Sequence, residues 1–227
     1  IGRDLGIDPA EIRQRNLIKE DMFPYVTPTG LVYDSGSYSK GLGKVLKMGN
    51  YDKWREIIAN ERNHGSRLLG LGLATVLKSS GAVGVLRTDW AKIIFTRDRR
   101  ISVLTGISPH GQGSETCFAQ IVSHEFGVDL GMINVLHSDT DIVSTGGGTG
   151  ANRGMVVGAS ALYEAIKLAR SLFIEKAALI IGSNPGCISF ENGVAINDGT
   201  GVTVDIWDII NGSEETTIHS QAQADEY

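Results

Sequence analysis

Two glycine-rich stretches hold the residues best suited to chemistry in this 227-residue chain. The first reads Ser108-Pro109-His110-Gly111-Gln112-Gly113-Ser114-Glu115-Thr116. Gly111 and Gly113 remove Cβ atoms on both sides of Gln112, so a ligand can come against the main chain. Gln112 then offers a carbonyl acceptor and an amide donor from one point. That pairing suits a heteroatom-rich, neutral or anionic ligand rather than a catalytic acid. A tight β–α turn whose glutamine faces water fits the same spacing, and the residues alone leave both open. The second stretch runs Ser144-Thr145-Gly146-Gly147-Gly148-Thr149-Gly150-Ala151-Asn152-Arg153-Gly154, just ahead of a long helical pattern. Backbone N–H groups at a helix start, glycines and one arginine make an anion site physically reasonable. A flexible linker explains the glycines about as well. No Gly-Lys-Ser/Thr follows, which excludes a P-loop, and Arg153 stands where a dinucleotide fingerprint needs its third glycine.

Other candidates are weaker. His137-Ser138-Asp139-Thr140-Asp141 groups a histidine with two carboxylates on a strand end. No further ligand follows, so capping and hydrogen bonding within the loop is the expected role, with a metal site as the alternative. Cys117 and Cys187 form neither a disulfide framework nor a CxxC site, and no histidine pairs with either at zinc spacing. Cys117, inside the helix after the first loop, is expected in the core. No Ser/His/Asp set or Gly-x-Ser-x-Gly elbow is evident.

The elements that must position these loops follow from periodicity and turn chemistry. A 41% hydrophobic and 21% charged chain is an ordinary globular one. A net charge of −5 without a run of like charges argues against nucleic acid or an anionic membrane surface as partner. No apolar run reaches the roughly 18 residues of a membrane span, no signal peptide is visible, and the expected setting is reducing cytoplasm. Glycine, at 29 of 227 residues, is about twice its usual share.

Asp8 should cap a short helix from Pro9 to near Asn16. Residues 19–50 carry turn chemistry and read as an extended segment wrapping a partner surface. Tyr51–Asn63 reads as a helix stopped by Gly65, and Arg67–Ser79 as an alternating strand. Trp90–Thr96 and Ile101–Thr105 read as a hairpin. Thr116–Phe126 should be a helix with Ser114 as N-cap and Gly127 as C-cap, and Asn134–His137 a short buried strand. Val156–Ile181 is a long helical pattern with Ser171 and Glu175 as candidate break points. Cys187–Phe190, Val194–Ile196 and Val202–Ile206 read as a meander, and the end of the chain as a polar, frayed tail. Strands and packed helices without regular βαβ alternation predict an α+β fold with two lobes. They divide near residue 66 or within 170–200. The segments are 1–66, the α+β region 67–205 and the tail 206–227. Starting at Ile1 with structure already under way, the chain reads as a piece of a larger polypeptide or one subunit of several.

The ordered set of motifs resembles a known family. It comprises Asp8-Pro9-Ala10-Glu11-Ile12-Arg13-Gln14-Arg15-Asn16-Leu17-Ile18, Pro28-Thr29-Gly30-Leu31-Val32-Tyr33-Asp34-Ser35-Gly36, Pro109-His110-Gly111-Gln112-Gly113-Ser114-Glu115-Thr116, Phe118-Ala119-Gln120-Ile121 and Asp139-Thr140-Asp141. In order and approximate spacing these are similar to the large, molybdopterin-binding subunit of the molybdenum hydroxylases. That group contains xanthine dehydrogenase, aldehyde oxidase and aerobic carbon monoxide dehydrogenase. The Pro-His-Gly-Gln-Gly form resembles the carbon monoxide dehydrogenase branch more than the purine-oxidising one.

The resemblance implies a molybdenum held by a molybdopterin, often as its cytosine dinucleotide in prokaryotes, acting on a small-molecule substrate. It implies partners as well: the remainder of the large subunit, and iron–sulfur and flavin domains or subunits. By position, Gln112 with Gly111 and Gly113 matches the glutamine near molybdenum. Gly150, Ala151, Asn152 and Arg153 match the segment holding the pterin and its phosphate end. A further Gly/Phe-rich cofactor loop lies upstream in the family, and the glutamate base lies downstream of Tyr227. This chain therefore carries no catalytic base or metal ligand of its own, and no ferredoxin-type cysteine run or flavin. The expected role is to supply part of a cofactor cradle, inactive in isolation. The rival reading is a non-catalytic module of the same descent that binds a partner or cofactor without turnover.

Overall fold

The computed structural model describes residues 1–65, 67–78, 88–212 and 217–225. They fall into two compact units, Ile1–Leu77 and Lys78–Tyr227, so the division lies beyond residue 66. The fold is α+β, as the pattern of elements implies.

In the N-terminal unit, helix α1 (Gly2–Leu5) precedes α2 (Pro9–Asn16). The Asp8 carboxylate accepts the Ala10 N–H at 2.7 Å, and Pro9 opens the helix as expected. Strands β1 (Tyr25–Val26) and β2 (Val32–Tyr33) form a small antiparallel hairpin. The extended reading of 19–50 then fails, because Tyr38–Met48 is a helix, α3. Tyr38, Leu42 and Val45 have helical spacing, and two interior glycines, Gly41 and Gly43, conceal it. Helix α4 (Tyr51–His64) ends at Gly65 as its sequence predicts. Residues 67–78 alternate like a strand but join no ladder among the described residues, and Leu68 and Val76 are exposed. Ser66 and Ser79 lie outside the described residues.

The C-terminal unit positions the loops. Strands β3 (Thr88–Thr96) and β4 (Ile101–Thr105) form the expected hairpin. Helix α5 (Ser114–Phe126) leads to β5 (Ile133–Leu136), which lies parallel to β4. A parallel neighbour requires a crossover, and α5 supplies it. One βαβ unit therefore sits inside an otherwise antiparallel sheet. After β5 comes a π-helical turn, Gly154–Ala159, that runs into α6 (Ser160–Ile181). Helix α6 passes Ser171 and Glu175 without a break; the Ser171 hydroxyl bonds back to the Lys167 carbonyl at 3.1 Å. A meander of β6 (Ile188–Glu191), β7 (Val194–Asn197) and β8 (Thr203–Asp205) follows.

The polar tail is a correction. Ile206–Asn211 forms α7, with Asp205 capping the Trp207 N–H at 2.8 Å and Ile206, Trp207, Ile209 and Ile210 buried. Thr217–Asp225 forms β9, antiparallel to β3 from Thr88↔Asp225 to Thr96↔Thr217. The sheet order is β5-β4-β3-β9. The alternation in β9, Ile218, Ser220, Ala222 and Ala224 against polar neighbours, carries one large apolar side chain and is too weak to mark a strand by sequence.

Alternate residues of β3, Ala91, Ile93 and Phe95, are fully buried, as a strand with one face against helices requires. They join Phe118, Val122 and Phe126 of α5 and the Ala161–Ala178 stripe of α6 in one core. At its centre Phe95 meets Phe126 and Phe173 edge to face, each with centroids 5.0 Å apart, while Phe173 stacks on Phe190 at 5.8 Å. Phe173 touches three rings, so Phe173→Ala should cost about 3–5 kcal/mol of stability. Urea denaturation followed by tryptophan fluorescence measures it, and a loss below about 1 kcal/mol would show that the ring cluster is not central.

Candidate functional site

Strands β4 and β5 run parallel, so their C-terminal ends share one edge of the sheet, the usual place for a ligand crevice in such arrangements. The first glycine loop leaves β4 there, and the second follows β5. Glycines let the two chains touch. A Cβ on Gly106 would lie 2.6 Å from the Gly146 Cα, and the Gly148 N–H donates to the Gly106 carbonyl at 3.1 Å. Gly158 is packed under Ile107, where a Cβ would sit 2.8 Å from the Ile107 Cδ1.

Beneath the second loop lies a buried ion pair. An Arg153 guanidinium nitrogen is 2.7 Å from an Asp89 carboxylate oxygen, and the two side chains are 1% and 0% exposed. The guanidinium also donates to the Gly148 and Thr88 carbonyls, each at 2.6 Å. The other Asp89 oxygen accepts the Trp90 N–H at 2.8 Å, and the Trp90 indole donates to the Thr145 carbonyl. Gly147 lies against the guanidinium, with no room for a Cβ. The charge of Arg153 is thus neutralised inside the protein. It shapes the loop from below instead of presenting a cation to an anion above it.

Above, the two loops enclose a cavity of about 540 Å³. Gln112, Gly150, Ala151 and Asn152 all line it, so four of the seven expected residues meet in one space. Gly111, Gly113 and Arg153 do not line it; they set the backbone. Gly111 and Gly113 have φ of +105° and +80°, in the left-handed region that favours glycine. Gly113, not Ser114, is the N-cap residue of α5, and Ser114 is its first helical residue. The Gln112 amide is fixed by its own loop. Its oxygen accepts the His110 N–H at 2.8 Å, and its nitrogen donates to the Ser114 hydroxyl at 3.0 Å. One lone pair and one N–H remain for a ligand.

Sequence reasoning missed Lys78, Thr149 and Met155 as cavity residues and placed Cys117 in the core. Cys117 is exposed and lines the cavity. It falls off the Phe118–Val122–Phe126 stripe of α5, a signal that was available in the spacing. Lys78 offered no such signal.

The His137–Asp141 loop does what capping predicts. His137 bridges Glu115, at 3.0 Å, and the Ser138 hydroxyl, at 2.9 Å, while Asp139 accepts the Asp141 N–H at 3.0 Å. Among the described residues, no group of three His, Cys, Asp or Glu side chains could hold a metal. The backbone N–H of Glu115 itself, in the first turn of α5, and then the His137 hydrogen bond hold the Glu115 carboxyl below its usual range.

Asp89→Asn leaves Arg153 buried beside a neutral amide and should destabilise by about 3–5 kcal/mol. The double variant Asp89→Leu with Arg153→Met should lose less than either single change, because no unpaired charge remains; denaturation midpoints decide it. A depressed carboxylate contributes stability above its unfolded value and loses it as pH falls through its folded value. The melting temperature of Glu115→Gln should therefore lie below that of the wild type at neutral pH. The gap should close below about pH 4, and a gap constant with pH would contradict this account.

A family model described as the molybdopterin cofactor-binding domain matches residues 44–225. The carbon monoxide dehydrogenase large chain of Hydrogenophaga pseudoflava is 31% identical over 201 residues, covering 84% of this chain and 25% of that protein. The putative xanthine dehydrogenase molybdenum-binding subunit of Escherichia coli (strain K12) is 32% identical over 179 residues, covering 78% and 23%. A solved structure, the reconstituted CO dehydrogenase from Oligotropha carboxidovorans, aligns over 99% of this chain and 30% of its own. Its TM-score is 0.60 at 22% identity, which shows a common fold. The chain spans about a quarter of the length of the curated relatives it matches. No helix among the described residues is long and apolar enough to cross a membrane.

Proposed function

Because this chain belongs to the molybdopterin cofactor-binding domain family, we propose that it forms one wall of the cofactor cradle in the molybdenum-binding large subunit of an oxidoreductase. The observation that carries this reading is the convergence of two glycine loops, far apart in sequence, on one cavity edged by Gln112 and Asn152.

The residues fit such a cofactor. A pterin with a phosphate end is rich in acceptors and donors, and the cavity meets it with the Gln112 amide, the Ser114 hydroxyl and the Asn152 amide. A buried hydroxyl without a partner, that of Thr149, sits in the same wall. Among the described lining residues, Lys78 carries the positive charge that suits a phosphate. Gln112, Gly150, Ala151 and Asn152 would touch the group. Gly111, Gly113 and Arg153 would hold those residues in place.

When bound, the molybdenum cofactor supplies two-electron oxidation of a substrate carbon centre. This chain's part is to bind and orient it. Gln112 is aimed by its bonds to His110 and Ser114, and the second loop is braced by Arg153. The cytosine dinucleotide form, a small-molecule substrate, and iron–sulfur and flavin partners that carry electrons away complete the proposal. The base that moves the proton lies outside these 227 residues. The exposed apolar residues Val26, Leu31 and Val32 of the N-terminal unit are the surface assigned to the remainder of the subunit.

In the assembled enzyme, Gln112→Ala removes one or two hydrogen bonds of about 0.5–1.5 kcal/mol each. Normal assembly with partial loss of molybdenum, or impaired turnover, is the expected result. Gly113→Val should do worse, since valine is strained at a φ of +80°. Metal analysis and steady-state assays decide it: full molybdenum occupancy and activity in both variants would reduce the loop to a turn. The chain alone, without the base whose assistance is typically worth about 10²–10⁴-fold, should not turn over an aldehyde, a purine or CO with an added electron acceptor.

A further inference from the structure

Thr149 stands between Gly148 and Gly150 and lines the cavity shared by Gln112 and Asn152. Its hydroxyl oxygen is shielded from solvent and has no hydrogen-bond partner. Among the described residues it is the only buried side-chain polar atom in that condition. A shielded hydroxyl left unpaired destabilises the protein that holds it, so native structures rarely keep one without a use.

The backbone around it is not free to relax. The Gly148 N–H is tied to the Gly106 carbonyl at 3.1 Å, and the Gly148 carbonyl accepts from Arg153 at 2.6 Å. The position of Thr149 is therefore set by the same buried clamp that braces the loop. What remains adjustable is χ1. Rotation between its staggered wells exchanges methyl and hydroxyl, so the donor can turn from its shielded place into the cavity when an acceptor is present.

We propose that Thr149 is a further cofactor-positioning residue, its hydroxyl donating a hydrogen bond to an acceptor atom of the molybdopterin group in this cavity. The inference rests on reading the cavity as the cofactor cradle. It adds a side chain that neither the motif comparison nor the loop spacing singled out.

The test compares wild type, Thr149→Val and Thr149→Ser in the assembled enzyme. One measurement is the rate at which molybdenum and pterin are lost on dialysis in mild denaturant, by metal analysis and pterin fluorescence. The other is the denaturation midpoint of the same proteins produced in cells unable to make the pterin. Valine keeps the shape and removes the unpaired hydroxyl, so cofactor-free Thr149→Val should unfold at the same or higher denaturant. It should nevertheless lose cofactor about tenfold faster, the equivalent of one hydrogen bond, and Thr149→Ser should stay within about twofold of wild type. A lower midpoint for the cofactor-free valine variant would mean that the hydroxyl serves the protein alone, and overturns the proposal. Unchanged retention in that variant, with wild type holding molybdenum and pterin, overturns Thr149 while leaving the cradle intact. Wild type without molybdenum or pterin overturns both.

Discussion

The buried ion pair between Arg153 and Asp89 is the constraint on which the C-terminal unit depends. Two charges removed from water are costly unless they meet each other and every remaining donor finds an acceptor. Here the carboxylate, the Gly148 carbonyl and the Thr88 carbonyl surround the guanidinium, while the Trp90 N–H occupies the other carboxylate oxygen. Asp89 is the second residue of β3, and Arg153 stands at the end of the second loop. Their contact ties the first strand of the sheet to the entry of α6, far along the chain. Any arrangement of the loop that separated them would leave an unpaired charge in a dry interior, so the loop has little choice of position.

That restriction explains the glycines better than flexibility does. Gly106 and Gly146 meet back to back, Gly147 lies on the guanidinium and Gly158 lies on Ile107. At each of these positions a Cβ would collide with backbone or with a packed side chain. The sequence Gly146-Gly147-Gly148 looks like a linker when read by composition, yet two of its three members are packed. The loops are close because the glycines permit it, and they stay close because the ion pair and the Gly148–Gly106 hydrogen bond leave no alternative.

How far the sequence was legible follows from the same physics. Local signals were reliable: Asp8-Pro9 opening α2, the hairpin around Arg97–Arg100, Gly127 closing α5 and the meander turns all depend on neighbours in the chain. Helix α3 was hidden because Gly41 and Gly43 weaken its propensity while packing of Leu42 restores it. Strand β9 was hidden because its pairing with β3 is non-local and Ile218 is its one large apolar residue. At the site, both loops were visible by residue type and spacing and Gln112 by its flanking glycines, whereas Gly150, Ala151 and Asn152 were named from the family resemblance; the structure lines one cavity with all four. Arg153 was named for its charge, but a charge in a sequence does not say which way the side chain turns. Its partner, Asp89, is 64 positions away. No local pattern points to it.

Strain in the cavity wall has the same support. Ala151 and Asn152 hold φ of +44° and +62°, a conformation that costs non-glycine residues of order 1–3 kcal/mol each. Such strain persists only where the surroundings over-determine it. Those surroundings are immediate: the Arg153 N–H donates to the Gly150 carbonyl at 2.9 Å, closing a turn over both strained residues, and the Arg153 side chain anchors that turn to the core. The wall is therefore formed by the protein's own packing, before anything binds to it. A preformed wall places its amides without an ordering cost at the moment of binding, which is what a cradle for a large polar group requires. The residue that carries no contact to the cavity, Arg153, thus governs the shape of the residues that do.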